Sequence, residues 1–165
     1  MNLLSLHLFI PFISIILLII NRKNFWSYII HVFSSFLSVL ISLLILFNKE
    51  TYIGKSISLI EIIPEIYLGF KLDGLGLVFL LVSNFLWFIC ALYSNHYLDL
   101  NKFENKNKFY IFFMLSMFST NAIIYSSNLF TTFIFYEILT LATYPLVTFK
   151  KDISSVSSGK KYLYY

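Results

Sequence analysis

Five uninterrupted apolar runs, residues 3–20, 26–47, 74–94, 109–126 and 129–149, govern what this chain can become. Each holds about the 20 residues that cross a hydrocarbon core. Lipid offers no partners to backbone N–H and C=O groups, so each run must satisfy its own backbone as a helix. Only 12% of the 165 residues are charged, against about 25% in a soluble domain. Mean hydropathy is +0.81. The sequence therefore specifies an all-α polytopic membrane protein, a single membrane domain over 1–165. The tail GKKYLYY (159–165) reads as the start of a sixth helix. The first run is not a secretory signal, because no basic residue precedes it and Arg22 and Lys23 follow it.

Basic residues favour the cytoplasmic side of a membrane. With the N-terminus outside, Arg22, Lys23, Lys102, Lys106, Lys108, Lys150, Lys151, Lys160 and Lys161 all fall inside. Only Lys49, Lys55 and Lys71 fall outside. The expected placement is the cell inner (plasma) membrane, multi-pass and N-out, or the mitochondrial inner membrane if the chain is organellar. The one long loop, 48–73, contains ISLIEI (57–62) and IYLGFKL (66–72) around Pro64 and Glu65. β-Branched and aromatic residues on both sides of a turn predict a short β-hairpin on the membrane surface. Asp73, directly before GLGL, is placed as an N-cap of the third span. Asn128 is the corresponding cap of the fifth, which follows the fourth after a turn of Ser126, Ser127 and Asn128.

Glu137 lies nine residues past Asn128 within LFTTFIFYEILTLATYPLV (129–147). At 1.5 Å per residue that is roughly 14 Å deep, near the midplane of a core about 30 Å thick. An ionised side chain there costs roughly 2.5–3.5 kcal/mol on insertion scales. Thr140, Tyr144 and Thr148 fall on the same helical face, whereas Thr131, Thr132 and Thr143 fall elsewhere. Pro145 frees the carbonyl of Leu141. Acid, hydroxyls and proline together fit a face turned to a wet path or a partner cation. Desolvation favours a neutral carboxyl and a nearby cation favours the carboxylate, so an acid poised between them suits a proton relay. The competing reading is a protonated glutamate that glues two helices.

Other polar groups in the spans are weaker signals. His31, Ser35, Ser38 and Ser42 share a face of the second span, which reads as close packing in preference to conduction. His7, Pro11 and Ser14 make a poorer stripe in the first. Ser83 and Asn84 in the third span, and Ser116, Ser119 and Thr120 in the fourth, are expected to hydrogen-bond between helices. His96 reads as interfacial. The single cysteine, Cys90, forms no internal disulfide or thiolate cage. No phosphate loop, dinucleotide fingerprint, zinc motif or nucleophile elbow is present. No cofactor, metal or nucleic acid is expected. An intramembrane enzyme using Glu137 lacks a nucleophile or second carboxylate beside it.

The segment KLDGLGLVFLLVSNFLWFICALYSNHYL (71–98) and the segment KFYIFFMLSMFSTNAIIYSSNLFTTFIFYEILTLATYPLV (108–147), with its FYEILTL core, resemble one family. It is the proton-conducting antiporter-like membrane subunits of respiratory complex I (NADH:quinone oxidoreductase) and of Mrp-type multisubunit cation/proton antiporters. The wording TLATYPLVT leans toward the D-type antiporter subunit. The resemblance covers about the last 95 residues; the first 70 agree only in hydropathy and in the loop before DGL. It implies that Glu137 matches a glutamate paired across a helix interface with a lysine on a later broken helix. It also implies transport of protons, and of Na⁺ in some members, with coupling to neighbouring membrane subunits. Members run to about fourteen helices with inverted repeats. Here the lysine-bearing helix and the second repeat are absent, and Lys160 and Lys161 stand at the start of the sixth helix instead.

Two functional expectations follow. One is the N-terminal portion of a cation- or proton-translocating subunit, as a fragment or split-gene piece, inactive alone. The other is a structural or accessory membrane protein, or a degraded remnant, whose polar stripes serve packing.

Overall fold

The computed structural model describes residues 3–21, 24–63, 66–103, 105–150 and 153–164. Arg22, Lys23 and Lys151 of the charge argument, and Pro64 and Glu65 of the hairpin turn, lie outside the described residues. Five helices are long and apolar enough to span: α1 (Leu3–Ile20), α2 (Asn24–Phe47), α4 (Gly74–Leu100), α5 (Lys106–Tyr125) and α6 (Leu129–Val147). A single turn, α3 (Lys49–Tyr52), follows α2 and leads into the strands β1 (Ser56–Ile63) and β2 (Ile66–Lys71). A final helix, α7 (Ile153–Tyr164), follows α6. The chain is a multi-pass helical membrane protein.

Two boundaries differ from the sequence reading. The third span was read over 74–94, yet its helix α4 runs to Leu100. Ser94, Asn95, His96 and Asp99 end the apolar run but not the helix, because backbone propagation needs no apolar side chain. At 27 residues α4 is about 40 Å long, so its last turns project beyond a core about 30 Å thick. The sixth helix was expected from 159 and begins at Ile153. The stretch SSVSSG carries no apolar period. It is helical because it packs on α6, where tertiary contact outweighs propensity.

Helix α5 is the hub: α1, α2, α4 and α6 all pack on it. It has half of its spanning window buried, against 11% for α6. The helices α1, α2, α4 and α5 form a bundle, and α6 leans on α5 from outside. Serines at 27, 34, 35, 38 and 42 turn the buried face of α2 inward. Small residues let helix backbones approach closely in lipid, where no hydrophobic gain drives them together.

The β-hairpin is present and antiparallel, pairing Ser56 with Lys71 and Ile63 with Ile66, with irregularities after Ser58 and Glu61. Its second strand docks on the turn between α5 and α6. Ser127 N–H donates to Gly69 O (3.0 Å), Asn128 Nδ2 donates to Tyr67 O (2.7 Å), and Gly69 N–H donates to Thr131 Oγ1 (3.1 Å). Phe70 also bridges to Ser126. The hairpin edge thus finds partners in a loop rather than staying open. Both expected caps form: Asp73 Oδ1 accepts from Gly76 N–H at 2.6 Å, and Asn128 Oδ1 accepts from Thr131 N–H at 2.7 Å.

Gly69 has no room for a side chain, since a Cβ there runs into Ser127 Oγ and the Tyr67 ring. Gly69→Ala is therefore expected to cost about 1–3 kcal/mol by overpacking. Thermal unfolding in detergent, with faster proteolysis in the 56–71 loop, checks it; an unchanged melt removes the docking role.

Candidate functional site

Glu137 sits in mid-helix on α6, where the sequence placed it, but on the side away from α5. The residues of α6 that pack inward are Thr131 and Ala142, both buried. Glu137 itself is exposed, between the exposed Phe133, Tyr136 and Leu141. Among the described residues it has no hydrogen-bond or ion-pair partner. It is not the glue of two helices within this chain. The lysines at 160 and 161 lie on α7 and make no ion pair with it among the described residues.

The structure divides the polar stripe below Glu137. Thr140 Oγ1 donates to its own helix at Tyr136 O (3.0 Å). Tyr144 and Thr148 press against Gly159 of α7, where a Cβ would collide with both. Thr143, assigned to another face from the wheel, hydrogen-bonds Tyr162 Oη of α7 at 2.7 Å. Tyr144, Pro145 and Thr148 also line a cleft of about 440 Å³ with Lys102, Lys108 and Lys150. The stripe therefore runs from an exposed mid-helix carboxyl down to a wide, lysine-rimmed cleft at the end of the bundle opposite the hairpin.

A second set of polar groups lies in the four-helix core, and sequence reasoning caught only part of it. His7 is buried and joins three helices: Nε2 faces Ser38 O of α2 (3.1 Å) and Nδ1 faces Tyr125 Oη of α5 (3.1 Å). A carbonyl only accepts, so the neutral ring carries its proton on Nε2 and takes the Tyr125 hydroxyl at Nδ1. Asn84 of α4 and Asn121 of α5 face one another through their amides at 3.2 Å. Tyr110 Oη donates to Asn95 Oδ1 (3.1 Å), which also accepts from Lys106 Nζ (3.4 Å). Lys106 pairs with Asp99. Asn95, Tyr110, Asn121 and Tyr125 were not singled out beforehand. An asparagine inside an apolar run was the available signal for Asn121; the tyrosines were lost among twelve.

Several expected interhelical bonds are intrahelical. Ser116, Ser119 and Thr120 each donate to the carbonyl four residues back at 2.9 Å, and Ser83 donates to Leu80 O (3.3 Å). The nearest acceptor to a hydroxyl on a helix is that helix's own preceding turn. His96 is exposed beside Tyr93. Among the described residues no group of three or more His, Cys, Asp or Glu could hold a metal ion.

These features define a polytopic helical membrane protein with one mid-span acid and a separate polar core. No family model matches the chain. Over 101 residues, 61% of this chain, it is 32% identical to a Staphylococcus aureus (strain JH9) protein provisionally named antiporter subunit mnhA2. A Staphylococcus haemolyticus (strain JCSC1435) protein of the same name is 31% identical over 85 residues. The chain spans about a tenth of the length of these relatives (12% and 10%). In fold it is similar to a chain of the membrane-bound sulfane sulfur reductase, an archaeal respiratory membrane complex. That likeness has a TM-score of 0.70 and 18% identity, and covers 88% of this chain and 23% of that one. The chain is thus similar in sequence to part of two antiporter subunits, and in fold to part of a respiratory membrane complex chain. The relatives carry the name mnhA2, where the wording TLATYPLVT leans toward the D-type subunit.

Because Glu137 has no polar partner among the described residues, Glu137→Gln is expected to change stability by less than about 0.5 kcal/mol. Asn121→Leu, which removes the interhelical amide partner of Asn84 and leaves it only the bond to Leu80 O, is expected to cost about 0.6–1.7 kcal/mol. Unfolding of the purified chain in detergent separates the two. A large loss from Glu137→Gln would make the acid a structural group.

Proposed function

We propose that this chain is part of a cation- or proton-translocating membrane subunit in which Glu137 is an intramembrane proton relay. The observation that carries the reading is an exposed acid at mid-span, without a partner among the described residues, on the helix whose Tyr144 and Thr148 line a lysine-rimmed cleft. An unpartnered acid on a spanning helix is costly against lipid. It becomes favourable where another helix or subunit covers it with a cation, or where water reaches it. The exposed face of α6 is then the side on which further helices of the subunit, or neighbouring membrane subunits, pack. Likeness to antiporter subunits roughly ten times as long as the matched region supports this arrangement, as does likeness to a respiratory membrane complex chain.

On this reading the protein lies in the plasma membrane, or in an organelle's inner membrane, with the N-terminus outside. The cleft then faces the cytoplasm (or the matrix). Protons, and Na⁺ where an exchange partner is used, are the transported species.

The test uses membrane vesicles that contain the assembled host complex. With Glu137→Gln, proton-coupled transport is expected to fall on the order of a hundredfold, with complex assembly unchanged. Undiminished transport overturns the relay. It would favour a scaffold whose acid is neutral and idle.

A further inference from the structure

The buried face of α2 is the part of the molecule that packing alone does not explain. His31 is fully buried, yet neither ring nitrogen has a hydrogen-bond partner among the described residues. The hydroxyls of Ser34 and Ser38, one and two turns further along the same face, are also buried and unpartnered. Tyr110 stacks on the His31 ring at 4.8 Å and Phe113 meets it edge-on at 4.5 Å. These rings fix its plane and give its nitrogens nothing. Buried polar groups in native proteins are satisfied by protein or by ordered water. Three neighbours left bare in one file point to water.

The file has a polar continuation at each end. Toward the α4–α5 loop, Tyr110 leads to Asn95, then Lys106, then Asp99, whose side chain is 56% exposed. Toward the hairpin, Ser38 O receives the His7 ring, whose other nitrogen meets Tyr125. Successive groups on α2 stand about one helical turn apart, roughly 5 Å, a gap that one bridging water closes. Beyond Tyr125 the lining turns mainly apolar, with Ser5 and Lys71 as its polar members. Leu4, Leu8, Phe70 and Leu72 close that end around an apolar pocket of about 30 Å³. The ionisable groups along the file are His7 from α1, Tyr28 and His31 from α2, Asp99 from α4, and Lys106, Tyr110 and Tyr125 from α5. Helix α6 packs on α5 rather than on α1 or α2, so Glu137 is not among them.

We propose that the α1–α2–α4–α5 core is a hydrated half-channel that carries protons from the α4–α5 loop end, through water held by His31, Ser34 and Ser38, to His7. His31 takes a proton on one ring nitrogen and releases the one on the other, which leaves the neutral ring in the opposite tautomer. A half-turn flip of the ring resets it for the next proton. At the far end a hydronium gives a proton to Tyr125 Oη and becomes water, as the hydroxyl's own proton passes to His7 Nδ1; the tyrosine stays neutral and now accepts from Nδ1–H. The hairpin residues Phe70 and Leu72 form the seal that ends the path. This proposal is independent of the relay assigned to Glu137.

The chain has three histidines, which makes the test direct. The full chain, labelled with ¹⁵N-histidine and reconstituted in phosphatidylcholine–phosphatidylglycerol bilayers, is studied by solid-state NMR with polarisation transferred from water. His31→Phe and His7→Phe assign the signals, and exposed His96 is the wet reference. The His31 and His7 rings are expected to receive water polarisation within about threefold of the His96 rate, as groups bonded to water do. Transfer more than about tenfold slower than to His96, as in a dry core, overturns the proposal without any need for a variant. Ser34→Leu, which fills the file, is expected to slow transfer to His7 by about fivefold or more and to stop its ring shifts from following bulk pH. A His7 that ignores bulk pH in the unmodified chain overturns proton delivery. Glu137→Gln is expected to leave all three signals unchanged, so the two readings fail separately.

Discussion

Every backbone amide that enters hydrocarbon must bring its own partner. In this chain that requirement makes the five spans helices, and it also governs what lies between them. The hairpin gives its edge hydrogen bonds to the Ser127–Asn128 turn and Thr131 instead of leaving them open. The serines and threonines of α5 and α6 return most of their hydroxyls to the preceding turn of their own helix. Outside this pattern stand the exposed Glu137, the buried His7 and His31, the Ser34 and Ser38 hydroxyls, and the contact between the Asn84 and Asn121 amides.

The two polar regions contrast in a useful way. Glu137 stands on the outer face of the most peripheral span, without a partner among the described residues, on the helix whose end lines a cleft rimmed by Lys102, Lys108 and Lys150. The His7–His31 file is enclosed by four helices and contains no carboxylate until Asp99 at its mouth. One faces outward from the bundle; the other lies within the described helices. Likeness to much longer antiporter proteins, and to a respiratory complex chain, fits an element that offers one face outward and keeps its own core.

Much of this was legible in the residues. The spans came within a few positions wherever the apolar run and the helix ended together, as in α1. They departed where a helix outlasts its apolar run, as at α4, or where packing rather than composition makes the helix, as at α7. Asp73 and Asn128 were readable as caps because that role is local, needing only an acceptor one turn from the N–H groups it serves. The wheel grouped Thr140, Tyr144 and Thr148 with Glu137, but it could not say which of them α7 covers, or that Thr143 turns to Tyr162.

The sequence by itself determined that the chain is a bundle of spanning helices with a capped hairpin loop and one acid at mid-depth. Those properties follow from run length, backbone saturation and near-neighbour chemistry. Only the tertiary structure decided which way Glu137 points, that His7 joins Ser38 to Tyr125, and that His31 is enclosed by rings that cannot bond it. These depend on the rotation of each helix about its axis and on partners up to 118 residues apart. In lipid, nearly every face of a spanning helix is apolar, so hydropathy alone barely distinguishes one rotation from another.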